Sequence, residues 1–417
     1  MRVPVLLIII SYISIILMDW YIWNDCKIFR YDKFFRVKRK KSSRWGWAFL
    51  IFSLLVLALF TVAVCLPHRS LDQDIQPKMW LLYIFLTVYI GELIYVVFSL
   101  LGYFALLFRR KKANTGLYCG LPLALIVFAF MWWGAGFGRK MIDVNTVEIV
   151  SPRIPVSFDG YKMVQISDMH LGTWGNDTSF VSRLVDSVNM QKPDVVFFTG
   201  DIVNRATDEM TPFLKTLARI KAKDGVFAVL GNHDYGDYMV WESPQAKAAN
   251  MARLRDNYKK IGWRLLDNEH VFLTNNQNDS IALIGVENWG EPPFHQYGRL
   301  DDAYPLDKQS DYNVNDQRFK ILLSHNPEHW NQIISKSTNI DLTLSGHTHA
   351  MQIMFKLGPF RWSPSQYRYE QWSGLYDREN LNNEKVQLYV NIGSGEVGMP
   401  MRIGASPEIT TLILRHQ

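Results

Sequence analysis

Four apolar runs in the first third of the sequence constrain the fold more than any other feature. They cover residues of about 3–23, 47–66, 80–108 and 117–135. Each approaches or exceeds the ~20 residues that a helix needs to cross the ~30 Å hydrocarbon core of a bilayer. Because that core offers the backbone no hydrogen-bond partners, such segments are stable there only as helices. The sequence therefore predicts a membrane domain, residues 1–140, with four transmembrane helices.

The charges indicate how these helices are oriented. Residues 1–145 hold 18 Lys and Arg against 7 Asp and Glu, whereas the rest of the chain holds 27 against 32. The cations cluster at residues 27–44 and 109–112, between the first and second runs and between the third and fourth. By the positive-inside rule both loops are cytoplasmic, so the amino terminus and all residues after the fourth run lie outside the plasma (inner) membrane.

Two other interpretations of this region are weaker. The first run could be a cleaved signal peptide, but Asp19-Trp20-Tyr21 stands near its end, where cleavage would need small residues. The basic loops could bind anionic lipid or nucleic acid. The mildly acidic remainder of the chain does not support binding to nucleic acid, so we expect no such partner.

Beyond a linker and first strand at residues 141–160, the sequence alternates between strands and helices. A helical apolar stripe runs from Thr178 to Met190, and Thr211-Pro212 and Ser243-Pro244 have the pattern of helix starts. This alternation predicts an α/β domain whose ligand site lies at the carboxyl ends of its strands. The domain contains no cysteine, so any metal there is held by oxygen and nitrogen.

Five of the predicted strands end in stretches rich in Asp, Asn or His, which are metal-ligand residues. These stretches are Ser167-Asp168-Met169-His170, Gly200-Asp201, Gly231-Asn232-His233-Asp234, Ser324-His325-Asn326 and Gly346-His347-Thr348-His349. In their order and spacing they resemble the calcineurin-like metallophosphoesterase family, over residues of about 149–414. The chain is most similar to the branch of membrane-attached or exported enzymes that includes YkuE and YaeI. The resemblance implies an α/β fold in residues 161–417: a β-sandwich flanked by helices in α-β-β-α layers, preceded by an α-helical transmembrane bundle.

The resemblance also implies a role for each residue of the site. Asp168, His170 and His349 would hold one divalent ion, and Asn232, His325 and His347 a second, with Asp201 bridging both. His233 would contact the phosphate and protonate the leaving oxygen. Two such ions offset the charge of the phosphoester and activate water near neutral pH. Ligation by oxygen and nitrogen suits Mn, Fe or Zn without distinguishing among them.

Two positions differ from the pattern of the family. Many relatives carry an Asp that orients the catalytic His where this chain has Asn204, so an amide is expected to support His233 here. Close relatives often follow the last His with two glycines, where this chain has Ala350-Met351. Their side chains are expected to narrow the site, but neither difference removes a ligand.

These features predict a membrane-anchored phosphoesterase that acts on phosphomonoesters or phosphodiesters, for which lipid-linked or cell-envelope substrates are plausible. One alternative is a hydrolase of lipid precursors similar to the UDP-diacylglucosamine pyrophosphatases, which work at the cytoplasmic face. Another is a metal-binding membrane scaffold or sensor without turnover. Two long excursions, residues 289–318 and 356–383, could shape a substrate cleft, rest on the bilayer or pack on their own aromatic side chains.

Overall fold

The computed structural model describes residues 5–28, 42–65, 75–106, 116–292, 295–304, 316–358, 360–380 and 383–417. The chain divides into two compact units, residues 1–66 with 77–134 and residues 67–76 with 135–417. Most of the basic loop at residues 27–44 and all of the loop at 109–112 lie outside the described residues. Parts of the excursion at 289–318 lie outside them too.

The first unit consists of long apolar helices. They are α1 (Val5–Ile28), α2 (Ser42–Cys65), α3 (Gln76–Leu106) and α4 (Leu121–Gly136). Within the described part of the chain, three stretches are long and apolar enough to cross a membrane: Gly46–Cys65, Gln76–Gly102 and Tyr118–Lys140. They correspond to the second, third and fourth predicted spans. Helix α1 covers most of the first predicted span but is not among these three, so the count of four spans stays a prediction.

The second unit contains two six-stranded sheets and a separate hairpin. Its strands are β1 (Asp143–Ser151), β2 (Lys162–Ile166), β3 (Val195–Phe198), β4 (Val226–Ala228), β5 (Trp263–Leu265), β6 (Glu269–Thr274), β7 (Ser280–Gly285), β8 (Lys320–Leu323), β9 (Leu342–Ser345), β10 (Phe355–Leu357), β11 (Phe360–Trp362), β12 (Gly374–Glu379), β13 (Lys385–Val390) and β14 (Glu408–His416). The first sheet has the order β1-β14-β2-β3-β4-β5 and the second β12-β13-β9-β8-β7-β6, while β10 pairs with β11. Strands β2 to β5 are parallel, as are β7, β8, β9 and β13.

The helices of this unit are α5 (Ser179–Met190), α6 (Leu214–Leu217), α7 (Pro244–Lys260), α8 (Leu300–Ala303) and α9 (Ser335–Ser337). Helix α7 begins as predicted, because the Ser243 hydroxyl accepts from the backbone N–H of Ala246. The helix start predicted at Thr211-Pro212 is wrong. A 3-10 helix, Thr207–Phe213, already contains both residues, since the side chain of Asn250 holds the backbone of Thr207, and α6 begins only at Leu214.

Alternation along the strands builds three apolar layers. Side chains such as Met163, Phe197 and Leu344 fill the space between the two sheets. Their neighbours Val164 and Phe198 point to the opposite face of the first sheet, which α5 and α7 cover. A third cluster around Trp330 covers the outer face of the second sheet. This is the predicted α-β-β-α arrangement, and it brings the carboxyl ends of β2, β3, β4, β8 and β9 to one region.

Candidate metal centre

Asp168, His170 and His349 form the first cluster of ligand atoms, and all three are buried. Asp168 follows β2, and His349 follows β9. The Nε2 atoms of His170 and His349 are 3.1 Å apart. Asp168 Oδ1 lies 3.2 Å from His349 Nε2 and 4.0 Å from His170 Nε2. These are the residues predicted to hold one ion.

Asp201, His325 and His347 form the second cluster. Asp201 Oδ2 lies 3.2 Å from His325 Nε2, which is 3.2 Å from His347 Nδ1. The same carboxylate oxygen lies 3.6 Å from His170 Nε2 in the first cluster. One oxygen of Asp201 is thus within reach of both clusters, which is the position that a bridging ligand needs.

The polar atoms fit a pair of divalent ions. The side-chain oxygen of Asn232 is buried and has no hydrogen-bond partner among the described residues. Its amide nitrogen donates to the Tyr238 hydroxyl over 2.8 Å, so the oxygen is the atom available to a ligand. A buried polar atom without a partner is costly, and a cation would satisfy it. Together the seven predicted ligands offer only oxygen and nitrogen, which suits Mn, Fe or Zn.

Hydrogen bonds orient the imidazoles toward the clusters. His325 Nδ1 donates to the Thr199 carbonyl over 2.7 Å, which directs Nε2 toward Asp201. His347 Nε2 lies 3.0 Å from the Tyr369 hydroxyl, which leaves Nδ1 for the second cluster. His349 Nδ1 lies 3.1 Å from the buried guanidinium of Arg402, and its Nε2 faces the first cluster.

Burial and mutual contact shift the pKa values of these groups. Burial raises the pKa of Asp201, but the imidazoles of His325 and His233 lower it by more. The net pKa is well below the usual range of Asp, so the carboxylate stays ionised. Burial lowers the pKa of His325, but Asp201 outweighs it and raises that pKa to about 10. Burial and the neighbouring His325 lower the pKa of His347 to about 3. His347 is therefore neutral at pH 7, the form in which imidazole binds metals.

The backbone around the site is strained and tightly packed. Five of the seven predicted ligands have positive φ angles: Asp168, His170, Asp201, His347 and His349, with values between 43° and 73°. Gly346 is required by close approach, because a Cβ atom there would lie 2.0 Å from Ser167 Oγ and 2.2 Å from Asp168 Oδ2. The sequence pattern of Gly before His at this strand end thus reflects a lack of space.

His233 lies beside the first cluster, with its ring edge-to-face with that of His170 at 4.8 Å. Its Nδ1 lies 2.7 Å from the backbone carbonyl of Asn204. The amide side chain of Asn204, which was expected to support His233, instead donates to the Glu396 carbonyl over 3.3 Å. That expectation therefore needs correction: Asn204 contacts His233 through its main chain, which any residue at this position could supply.

Asp234 organises the loops and lies outside both clusters. Its buried carboxylate accepts hydrogen bonds from the backbone N–H groups of Gly231, Asp201, Ile202 and Val203, over 2.9–3.3 Å. It thereby ties the loop after β4 to the loop after β3.

Three residues of the site were missed from sequence. Tyr238 packs its ring 4.4 Å from that of His233, Tyr369 contacts His347, and Arg402 contacts His349. Tyr369 lies in the aromatic-rich excursion 356–383, so the composition of that segment was the available signal. Arg402 gave no local signal, since its guanidinium contacts carbonyl groups distant from any recognisable motif.

Comparisons with known proteins agree with this geometry. Residues 161–351 match the family described as Calcineurin-like phosphoesterase, and residues 1–139 match the family described as Probable Calcineurin-like phosphoesterase, transmembrane domain. The chain is 29% identical to the transmembrane protein with metallophosphoesterase domain of Danio rerio, over 75% of this chain and 67% of that protein. It is 29% identical to the uncharacterized metallophosphoesterase YkuE of Bacillus subtilis, over 68% of this chain and 90% of that protein.

Another relative matches nearly the whole chain. An uncharacterized metallophosphoesterase of Campylobacter jejuni is 25% identical over 88% of this chain and 99% of its own length. Among solved structures, the NAD nucleotidase NadN of Haemophilus influenzae aligns with a TM-score of 0.38 and 15% identity, over 56% of this chain and 45% of that chain.

Proposed function

Because this chain belongs to the calcineurin-like phosphoesterases and is a membrane-associated metallophosphoesterase, we propose that it hydrolyses phosphomonoesters or phosphodiesters presented at the membrane. In this proposal Asp168, His170 and His349 hold one ion, and Asn232, His325 and His347 the other. The observation that carries it is the position of Asp201 Oδ2, 3.2 Å from an imidazole of one cluster and 3.6 Å from an imidazole of the other. Two divalent ions supply charge neutralisation and activation of water when they are bound.

His233 serves as the proton donor to the leaving oxygen. Its Nδ1 is occupied by the Asn204 carbonyl, so Nε2 is the atom that can exchange a proton with a substrate. The side chain is partly exposed, in contrast to the fully buried His170 and His325. The ring of Tyr238 packs against it and limits its rotation. A fixed and accessible imidazole beside the metal ligands is the arrangement that general-acid catalysis requires.

A bilayer-resident substrate is favoured by the antiparallel hairpin formed by β10 and β11, which we call the aromatic hairpin. Phe355, Leu357 and Phe360 are 52%, 80% and 60% exposed. Pairing of Phe355 with Trp362 and of Leu357 with Phe360 places the four apolar side chains on one face. Aromatic and aliphatic side chains exposed in this way suit the boundary between headgroups and acyl chains.

The aromatic hairpin is linked directly to the proposed active site. It begins six residues after His349, and the Ser363 hydroxyl that follows it donates to the Ala350 carbonyl over 2.6 Å. Tyr369, a little further along, contacts His347. A lipid headgroup could thus reach the ions while the chains of the lipid stay in the bilayer. We place this domain on the outer side of the plasma (inner) membrane, following the basic loops of the sequence.

The test is hydrolysis of an aryl phosphate ester and a panel of phosphodiesters by the full chain in nanodiscs with Mn²⁺. We expect Asp201→Asn and His233→Ala to lower the rate about 100-fold or more, because the first removes the carboxylate charge that would bridge the two ions and the second removes the proton donor. Asp186→Asn and His295→Ala are matched controls, since both residues are exposed. A metal-loaded protein that is inert toward the whole panel would instead support a scaffold or sensor.

A further inference from the structure

The membrane unit holds a second group of converging oxygen atoms, remote in sequence from the metallophosphoesterase motifs. Asp19 of α1, Ser53 of α2, and Tyr89 and Glu92 of α3 contribute to it. The Ser53 hydroxyl donates to Asp19 Oδ2 and lies 3.2 Å from the Tyr89 hydroxyl. Glu92 lies one turn beyond Tyr89 on the same face of α3, and its carboxyl group faces that of Asp19. Three helices thus meet at two acidic side chains.

These two carboxyl groups are buried without sufficient hydrogen-bond donors. Asp19 is 6% exposed and Glu92 8%. Among the described residues, neither Asp19 Oδ1 nor either Glu92 carboxylate oxygen has a hydrogen-bond partner. Ionised carboxylates only accept hydrogen bonds, so neither group can satisfy the other while both are ionised. Two adjacent negative charges in an apolar bundle are relieved either by a proton shared between the carboxyl groups or by a cation bound between them.

Another buried carboxylate in the same unit has hydrogen-bond donors, so the shortage of donors is particular to Asp19 and Glu92. Asp25 Oδ2 accepts from the Tyr95 hydroxyl over 2.7 Å and from the Ser99 hydroxyl over 3.0 Å. The bundle therefore provides two donors for Asp25, which is 2% exposed. No comparable donor faces Glu92 within the described helices. Asp19 and Glu92 therefore lack the donors that the bundle gives Asp25, and a bound cation would take the place of those donors.

We propose that Asp19 and Glu92 form a binding site for a hard cation within the membrane unit. Three carboxylate oxygens without donors and the hydroxyls of Ser53 and Tyr89 make an oxygen-only ligand set. Such a set selects Na⁺ or Ca²⁺ over the softer ions that imidazoles prefer. Two negative charges favour the divalent ion, so Ca²⁺ binds more tightly than Na⁺. This site is separate from the phosphoesterase centre, and the proposal does not depend on the function proposed for that centre.

The experiment measures the thermal unfolding midpoint of the full chain in nanodiscs as CaCl₂ or NaCl replaces choline chloride at constant ionic strength. We expect a saturable rise in wild type, at lower concentration for Ca²⁺, because an ion that binds only the folded state stabilises it. Glu92→Gln and Asp19→Asn should lose the rise. Asp25→Asn is the matched control, and it should keep the rise. Any response from the catalytic domain is common to all variants and cancels.

Two further measurements keep the proposal open to contradiction. Glu92→Asp retains the charge, so it should retain saturable binding at a higher concentration of ion even if Glu92→Gln does not fold. Infrared spectra of wild type and Glu92→Asp should show no carboxylic acid stretch from this pair in the presence of Ca²⁺. A cation-independent acid stretch that Glu92→Gln abolishes would mean that the pair shares a proton, and it would overturn the proposal. Equal stabilisation of wild type and Glu92→Gln would overturn it as well.

Discussion

At the scale of single residues, the metal centre depends on backbone conformations that most residues avoid. Asp168, His170, Asp201, His347 and His349 all lie in the left-handed region. Each such residue costs about 1–2 kcal/mol relative to a right-handed conformation. Strain of this kind persists where the surrounding fold over-determines it, and it is concentrated at functional sites. The hydrogen bonds of Asp234 to four backbone N–H groups provide part of that constraint for the Asp201 loop.

Backbone conformation also explains the difference between this chain and its close relatives at Ala350 and Met351. Both residues have left-handed φ angles, 47° and 45°, at the positions where close relatives often carry glycines. Glycine adopts these angles without a steric penalty. The glycine pair of the relatives therefore reflects a backbone requirement that this chain meets at a conformational cost. Ala350 is buried and Met351 is 41% exposed, so only the second side chain extends into solvent beside the site.

The buried side chain of His329 makes the folding stability of the protein depend on pH. It is almost fully buried, its ring stacks on Trp289, and burial lowers its pKa to about 3. In the unfolded chain its pKa is about 6.5, so between these values the unfolded state binds a proton that the folded state does not. Stability therefore falls as pH decreases below 6.5, by about 2 kcal/mol between pH 7 and pH 5.

The measurement is the unfolding midpoint of wild type and His329→Gln at pH 7 and pH 5, at one fixed metal concentration. On acidification from pH 7 to pH 5, we expect the variant to lose about 2 kcal/mol less stability than wild type. This difference is the contribution of the one proton that His329 takes up on unfolding. His170 and His347 also have lowered pKa values, but they are present in both proteins and their effects cancel. The same pH dependence in wild type and variant would show that His329 takes up a proton in the folded state.

At the level of the residues, the sequence predicted which side chains converge but not how they are held. Two clusters, Asp168 with His170 and His349, and Asp201 with His325 and His347, are the groups that the strand-end motifs indicated. The sequence did not predict contacts made by backbone atoms, such as the contact between the Asn204 carbonyl and His233. It also did not predict contacts between residues that are far apart in sequence and share no pattern, such as Arg402 and His349. Motifs record side-chain identity, whereas these contacts depend on the path of the main chain.

At the scale of secondary structure, the order of elements was predictable because each buried strand is a short apolar run closed by a polar turn. The alternation that separates Met163 from Val164 also defines which layer each side chain enters. The start of α6 was not predictable, because the side chain of Asn250 extends the preceding 3-10 helix back to Thr207. Propensity describes a local preference, and this contact is made by a residue on a different helix.

A testable prediction at this scale is that the aromatic hairpin contacts lipid. An isolated two-stranded ribbon is only marginally stable in water, and an apolar face in contact with lipid would stabilise it. We therefore expect an environment-sensitive fluorophore on Leu357→Cys, in nanodiscs and with Cys26, Cys65 and Cys119 replaced by Ser, to be quenched strongly by quencher-labelled lipids. Met190→Cys is the matched control, because Met190 is 68% exposed at the end of α5.

Quenching that is equal at the two positions, or absent at Leu357, would show that the hairpin does not enter the bilayer. The proposal of a bilayer-resident substrate would then lose its structural support. Hydrolysis of soluble esters would be unaffected by that result, because the hairpin supplies none of the seven predicted metal ligands. The two parts of the proposed function can thus fail separately.

At the scale of the whole molecule, the sequence divides sharply into a part suited to lipid and a part suited to water. The family matches follow the same division, with residues 1–139 in one and 161–351 in the other. Three membrane-length stretches lie among the described helices, and α1 is the element on which the count depends. That helix carries the buried Asp19 and Asp25, whose polar partners lie on α2 and α3. Its two acids lower its overall hydropathy, although both are covered by neighbouring helices.

The number of spans determines whether the amino terminus and the catalytic domain lie on the same side of the membrane. If α1 crosses together with the three other stretches, the chain crosses four times, and the amino terminus and the catalytic domain lie on the same side. If α1 does not cross, the chain crosses three times and the two lie on opposite sides. The positive charges at residues 27–44 and 109–112 favour four crossings with both termini outside.

Reporters that are active only outside the cytoplasm, fused before Met1 in one protein and after Gln417 in another, distinguish these arrangements in a bacterial host. We expect both fusions to be active, because both basic loops would then stay in the cytoplasm. Activity of the second fusion alone would mean three crossings with the catalytic domain outside. An inactive reporter after Gln417 would place that domain in the cytoplasm, and it would favour a hydrolase of lipid precursors made at that face. A reporter in the loop at residues 109–112 is the control, and it should be inactive if the positive-inside rule holds.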